Sequence, residues 1–260
     1  MILNEMIMQL QKLAPEDMAL DWDNVGLLVG DRGQDITKVF VALDADETAI
    51  AQAAAAGAEL LLTHHPLIFS PLRKINSDHF MSARIVKLLH EQMSCYAMHT
   101  NFDAAKMGEL AAERMGLSVE APLADIFEYD GKTYGIGVVG TLPETESLGG
   151  LCAVVKHGFG LDHVKVFRAR DERISRVAIC PGSGKSTIRD AIAAGAQVLI
   201  TGDIDHHSGI DAVAQGLSII DAGHYGIEHI FISYMEQYLK EHVQGVEVCA
   251  QARRDPFIIV

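Results

Sequence analysis

Short apolar runs alternate with longer stretches in which apolar residues recur at helical spacing, and this alternation occurs twice along the chain. In the first half the pattern predicts strands near Lys38–Leu43, Glu59–Thr63 and Ser94–Met98. Helices are predicted between and after them, near Asp46–Ala56, His79–Gln92 and Ala104–Met115. In the second half the strands fall near Arg176–Cys180, Gln197–Thr201 and Leu217–Asp221, and the helices near Lys185–Ala194, His207–Gln215 and Gly226–His242. Gly57 and Gly195 sit where helices should stop. Brief apolar strands interleaved with helices predict an α/β fold of mainly parallel strands covered by helices.

The halves also resemble each other residue by residue. Ala55–Thr63 aligns with Ala193–Thr201 at an offset of 138, and the same offset pairs Val39–Leu43 with Val177–Pro181 and Ile50 with Ile188. We therefore expect two similar α/β lobes from an internal duplication. The first lobe covers 1–122 and the second 123–260, with 123–173 as a connecting or inserted segment and 174–260 as the repeat copy. In that segment Gly131, Gly135, Gly137, Gly140 and Pro143 punctuate short β-like runs ahead of a helix at Ser147–His157.

Functional groups in open α/β sheets gather at the carboxyl ends of strands. His64 and His65 follow the strand ending at Thr63, His99 and Asp103 follow the strand ending near Met98, and His224 and Glu228 follow the strand ending near Asp221. His224 and Glu228 are four apart and share one helix face. In extended chain, adjacent His64 and His65 point to opposite sides, one for each of two ions. Asp103 and Glu228 are the carboxylates suited to bridging. The expected centre thus holds two divalent ions per chain on His64, His65, Asp103, His224 and Glu228, where they bind and activate a water. Imidazole and carboxylate donors suit Zn, Fe, Mn, Co or Ni and do not choose among them.

Bulk properties narrow the function classes. The 260 residues are 49% hydrophobic, enough for a large core, and no run is long and apolar enough to span a membrane. Met1–Lys12 has a helical rhythm and carries its only basic residue last, unlike a secretory signal, so a cytoplasmic location is expected. Four scattered cysteines without a paired motif read as reduced thiols packed in strands. A net charge of −14 does not suggest nucleic acid as a partner, and the Arg168, Arg170, Arg173, Arg176 group is interrupted by Asp171 and Glu172.

The segments Trp22–Gly30, Leu62–Pro66, His99–Ala105, Thr201–Asp203, His206–His207 and Gly223–Glu228 resemble, in order and across nearly the whole chain, the GTP cyclohydrolase 1 type 2 homologues, also called Nif-three-like proteins. The resemblance implies a dinuclear metal site with ligands at His64, His65, Asp103, His224 and Glu228. It also implies two α/β lobes with the metals between them, and a toroidal homohexamer. Its activity would be metal-dependent hydrolysis, with ring opening of a purine nucleotide such as GTP. The rival readings are a regulatory or metal-handling protein without turnover, and a scaffold that uses metal for stability.

Other residues invite chemistry. His99 is the candidate proton carrier, or else orients its loop through the backbone. His206 and His207 are expected to line the cavity, and His229 to point off the ligand face of its helix. Pro181–Thr187 is not a Walker A loop, because the position of the first glycine is Ile179, though a short loop at a helix start suits an anion. Asn101–Asp103 has the makings of an Asx cap on the helix near Ala104. Trp22–Gly26 reads as a tight turn with a core anchor.

Overall fold

The computed structural model describes residues 1–169 and 173–260; Arg170, Asp171 and Glu172 of the arginine-rich stretch lie outside the described residues. In chain order, the first part holds α1 (Leu3–Leu13), β1 (Gly26–Val29), β2 (Lys38–Ala42), α2 (Glu47–Ala56), β3 (Leu60–Thr63), α3 (Phe80–His90), β4 (Ser94–Ala97) and the short turn α4 (Thr100–Phe102). A π-helical stretch, Asp103–Met107, leads into α5 (Gly108–Met115), β5 (Ser118–Tyr129), β6 (Lys132–Glu146), α6 (Leu148–Phe159) and β7 (Lys165–Phe167). Next come β8 (Ile174–Ser183), α7 (Ile188–Ala193), β9 (Val198–Gly202), α8 (His206–Ala214) and β10 (Ser218–Asp221). The chain ends in α9 (His224–Glu228), α10 (Ile230–His242) and β11 (Glu247–Ala250). Among the described residues no helix is long and apolar enough to cross a membrane.

The chain forms two compact units, Met1–Phe102 with Phe231–Arg254, and Asp103–Ile230 with Asp255–Val260. This differs from a single cut after residue 122. The chain leaves the first unit at Phe102 and returns at Phe231, because β11 pairs in parallel beside β2 and completes the first sheet. The expected single helix over 226–242 is accordingly two helices, α9 in the second unit and α10 almost wholly in the first.

The first unit's sheet has the order β1-β4-β3-β2-β11, with only the β1–β4 pair antiparallel. Every residue of β3 and β4 is buried, as befits strands covered on both faces. Ile50 of α2, Ile85 and Leu88 of α3, Phe40, Leu61 and Cys95 pack together in one apolar core. Each of these Ile, Leu and Phe side chains contributes roughly 1.5–3 kcal/mol on removal from water. Asp46 caps α2 by accepting from the Ala49 amide at 2.7 Å, and Gly57, at φ 70°, ends it as expected.

The second unit's sheet runs β5-β6-β8-β9-β10-β7. Here β8–β9 and β9–β10 are parallel, but β5–β6, β6–β8 and β7–β10 are antiparallel, so this sheet is mixed rather than mainly parallel. The cause lies in residues 118–146, where the glycines do not break up short runs. They sit inside a long hairpin turned by Asp130-Gly131, both at positive φ. Gly140 lies so close to the Ser118 carbonyl, and Gly137 to that of Ile179, that side chains there would collide with backbone.

Both sheets share a substructure. Helix α1 precedes β1 and helix α6 precedes β7; β1 and β7 then lie antiparallel to β4 and β10 at one end of the orders β1-β4-β3-β2 and β7-β10-β9-β8. The register matches too: Val39 faces Leu60 as Val177 faces Val198, the offset of 138 that aligns the sequences. Three of the cysteines lie in strands as expected, Cys152 lies in α6, and all are free. Burial pushes the Cys95 thiol up to about 12.

Candidate metal centre

In the first unit the chain bends directly after β3. The His65 amide donates to the Leu43 carbonyl at 3.0 Å, and the Thr63 hydroxyl donates to the His65 carbonyl at 2.9 Å. This bend cancels the alternation of extended chain. Instead of pointing to opposite sides, the His64 and His65 rings lie 5.0 Å apart. His99 joins them at 5.2 Å from His64 and 5.5 Å from His65, and one ring nitrogen from each of the three lies within 4.8 Å of the others.

Each of these imidazoles is held at Nδ1. His64 Nδ1 is 2.7 Å from the Met98 carbonyl, a group that can only accept, so in the neutral ring the proton is on Nδ1 and Nε2 presents its lone pair. The ring is fully buried, with Phe231 at 5.1 Å and Phe102 at 6.2 Å. His65 Nδ1 lies 2.8 Å from Asp44 Oδ1, and His99 Nδ1 lies 2.9 and 3.0 Å from the two oxygens of Asp23. His99 is thus oriented by a carboxylate, not by backbone. Burial drives the Asp23 carboxyl up, but hydrogen bonds from His99 and from the Thr100 hydroxyl and amide outweigh it and hold the group at about 2.

The second unit holds a cluster of its own, built around two carboxylates. Asp103 opens the π-helical stretch, a rare form that recurs at functional sites. No Asx cap forms at Asn101, which lies inside α4 and donates its side-chain amide to the Ala14 carbonyl at 2.9 Å. His224 and Glu228 begin and end α9, and His224 Nε2 meets Glu228 Oε2 at 2.9 Å, as their spacing predicts. His224 Nδ1 lies 2.7 Å from Asp203, whose backbone is in the left-handed region at φ 57°. Asp221 steadies both supports, accepting from the Ile204 amide at 3.1 Å and the Gly223 amide at 3.0 Å.

Asp103 and the buried Glu228 bring carboxylate oxygens within 4.8 Å of each other. Two like charges at that separation repel by a few kcal/mol at an effective dielectric of about 20, which a cation would offset. Burial, then the Asp103 charge, pushes the neighbouring Cys180 thiol up to about 12, with Glu228 adding to it. That thiol stays protonated near neutral pH, leaving nitrogen and oxygen as the donors. Such a set fits a divalent ion of the zinc, iron or manganese type.

Two glycines, Gly182 and Gly202, make room for this cluster. Gly182 is at φ 78°, and a Cβ there would run into the Glu228 carboxylate. A Cβ at Gly202 would meet the His224 backbone nitrogen at 2.5 Å. Lys185 pairs with Asp205 at 2.7 Å. His206 and His207 are exposed in the first turn of α8, and no ligand-type group among the described residues includes them. His229 turns to the Gly226 carbonyl and stacks on Tyr225, off the ligand face. Trp22 is not a core anchor, being 58% exposed. The supports Asp23, Asp44 and Asp203 escaped sequence reasoning, although each follows or faces a strand end.

The family model of Duf34/NIF3 (NGG1p interacting factor 3) matches residues 1–256. The GTP cyclohydrolase 1 type 2 homolog of Clostridium perfringens is 34% identical over 261 residues, covering 99% of each chain. That of Lactococcus lactis is 35% identical, again over 99% of each. Among solved structures, a Bacillus cereus protein related to NIF3 superposes with a TM-score of 0.90 at 26% identity, over 100% of this chain and 99% of its own.

Two outcomes follow from this geometry. Gly182→Ala should cost roughly 1–3 kcal/mol through backbone strain and also displace Glu228, lowering metal uptake. Gly57→Ala, at φ 70° with open space around it, should cost stability alone, and thermal melts with elemental analysis separate the two. Asp23, whose folded pKa of about 2 lies below the ordinary 3.8, contributes stability that is present above 3.8 and lost as pH falls towards 2. Urea melts from pH 5 to pH 2 should show Asp23→Asn losing about 2 kcal/mol at the upper end and converging on the wild type at the lower.

Proposed function

The chain belongs to the Duf34/NIF3 family, and we propose that it is a dinuclear-metal-dependent hydrolase acting on a purine nucleotide such as GTP. The proposed ligands are His64 and His65, held by the first unit, with Asp103, His224 and Glu228, held by the second. The observation that carries this reading is the pair of close carboxylates, Asp103 and Glu228, in a unit that also presents His224 to them. Further support comes from the chain's path: Asp103 is the first residue after the chain leaves the first unit, and Glu228 lies just before it returns. The shared strand order and register of the two sheets support an origin by duplication.

When bound, two divalent ions supply Lewis-acid polarisation of a substrate oxygen and a water made acidic enough to attack near neutral pH. The residues have distinct tasks. His64 and His65 present Nε2 because Nδ1 is committed to Met98 and Asp44. His224 is aimed by Asp203. His99, with Nδ1 on Asp23, is the proposed proton carrier at Nε2, and the buried Asp23 carboxylate orients its ring. The Clostridium perfringens relative is named a GTP cyclohydrolase 1 type 2 homolog, and the proposed reaction class for this chain is hydrolytic ring opening of a guanine nucleotide. A cytoplasmic, toroidal homohexamer completes the proposal.

Elemental analysis should find about two divalent ions per wild-type chain and fewer in Asp103→Ala, and that variant should lose any turnover of GTP followed by chromatography. Unchanged metal content would overturn the ligand assignment. Metal uptake with no Asp103-dependent hydrolysis across nucleotides would favour a metal-handling role without turnover. Sedimentation should give a particle of about six chains, and a monomer at micromolar concentration would remove the ring.

A further inference from the structure

We propose that Trp22 and Phe69 form a stacking ledge that receives the planar heterocyclic ring of the ligand, beside the histidine cluster. The inference rests on the metal-centre reading for where the ligand's reacting end goes, and it adds the residues that would recognise its flat ring.

Trp22 and Phe69 are 58% and 55% exposed, yet neither side of their turn is loose. Asp23, the residue after Trp22, has a fully buried side chain bound to His99 and to the Thr100 amide and hydroxyl. On the other flank, the Leu20 amide donates to the Thr100 hydroxyl oxygen at 2.9 Å. Asn24 donates its side-chain amide to the Ile68 carbonyl at 2.5 Å, which fixes the residue before Phe69. One set of polar bonds therefore positions both aromatic rings.

The rings sit 5.8 Å apart at 54°, an open wedge rather than a closed stack. Trp22 also meets His99 edge-on at 6.0 Å and 74°. Since His99 lies within 5.5 Å of both His64 and His65, aromatic surface runs without interruption from the ledge to the candidate ligands. Exposed aromatics on mobile loops are ordinary, whereas a pair held rigid and wet next to candidate donors has its ordering entropy already spent before a ligand arrives. Such a ledge binds π-faces, every base has one, and a ring seated there is anchored beside the ions that would act on it.

Trp22 is the only tryptophan of the chain, so its emission reports on the ledge directly. Metal-loaded protein would be titrated with guanosine, with GTP and with tripolyphosphate, which has no ring. Guanosine and GTP should quench Trp22 to saturation and tripolyphosphate should not. By calorimetry, Trp22→Ala and Phe69→Ala should bind guanosine about tenfold more weakly, and Trp22→Phe should recover most of the loss, all with wild-type metal content. Absence of quenching by guanosine at millimolar concentration, or unchanged affinity in Trp22→Ala, would overturn the ledge. So would a shift of wild-type emission on dilution, which would mean that a second copy covers Trp22. Metal content of the same samples separates the two ideas. Loaded protein without quenching removes the ledge alone, while quenching in protein that takes up no metal retains the ledge and removes the metal reading.

Discussion

Where each imidazole places its Nδ1 proton governs everything else at this centre. A neutral imidazole has one donor and one acceptor nitrogen, and whichever nitrogen faces an obligate acceptor decides the other. His64 faces the Met98 carbonyl, His65 faces Asp44, His99 faces Asp23 and His224 faces Asp203. All four are anchored at Nδ1 by oxygens of their own unit. Each unit therefore sets the direction of its Nε2 atoms by its own folding. Asp44, Met98 and Asp203 lie just past the ends of β2, β4 and β9, and Asp23 lies just ahead of β1, so the sheets place the supports.

The carboxylate side is built by a different economy. Glu228 needs room that no side chain at 182 would leave, so the penultimate residue of β8 is a glycine at positive φ. His224 needs the β9 backbone beneath it, so β9 ends in Gly202. Asp203 accepts a left-handed backbone to aim its carboxylate at His224. These constrained positions lie at or just after strand ends in the second unit, whereas the helix-stopping Gly57 has open surroundings and serves the chain's turn alone.

Hydrophobic periodicity carried most of the parallel core. Strands β2, β3, β4, β8, β9 and β10 lie within a few residues of their expected places, because fully buried strands read as uninterrupted apolar runs. The hairpin of β5 and β6 was illegible for the opposite reason: its glycines look like breaks in one dimension and are close contacts in three. The return of residues 231–254 to the first unit was equally hidden, since β11 is a short edge strand whose partner, β2, is some two hundred positions away. Histidines at strand ends stood out by type. Their supporting aspartates did not, because Asp23, Asp44 and Asp203 look like ordinary turn residues until the fold brings an imidazole to each. Trp22 misled because large aromatic residues are usually buried, and no pattern announces the exception.

Several exceptions share a locality in the second unit. A buried glutamate close to an aspartate, an aspartate in left-handed backbone, a glycine forced by a carboxylate and a π-helical stretch each cost stability. Apolar residues of similar volume in place of a buried charged cluster often leave a protein as stable or more so, so packing alone gives no reason to keep Asp103 and Glu228 together. Elsewhere many local preferences are met: Asp46 and Asp205 cap their helices, Gly57 ends one, and β3 is buried along its whole length, while the other non-glycine residues at positive φ include Gln92, Asp125 and Asp130. Where a sequence breaks several local rules beside one set of donors, it accepts instability for chemistry. That concentration argues for a working centre more strongly than any one pair of ligands does.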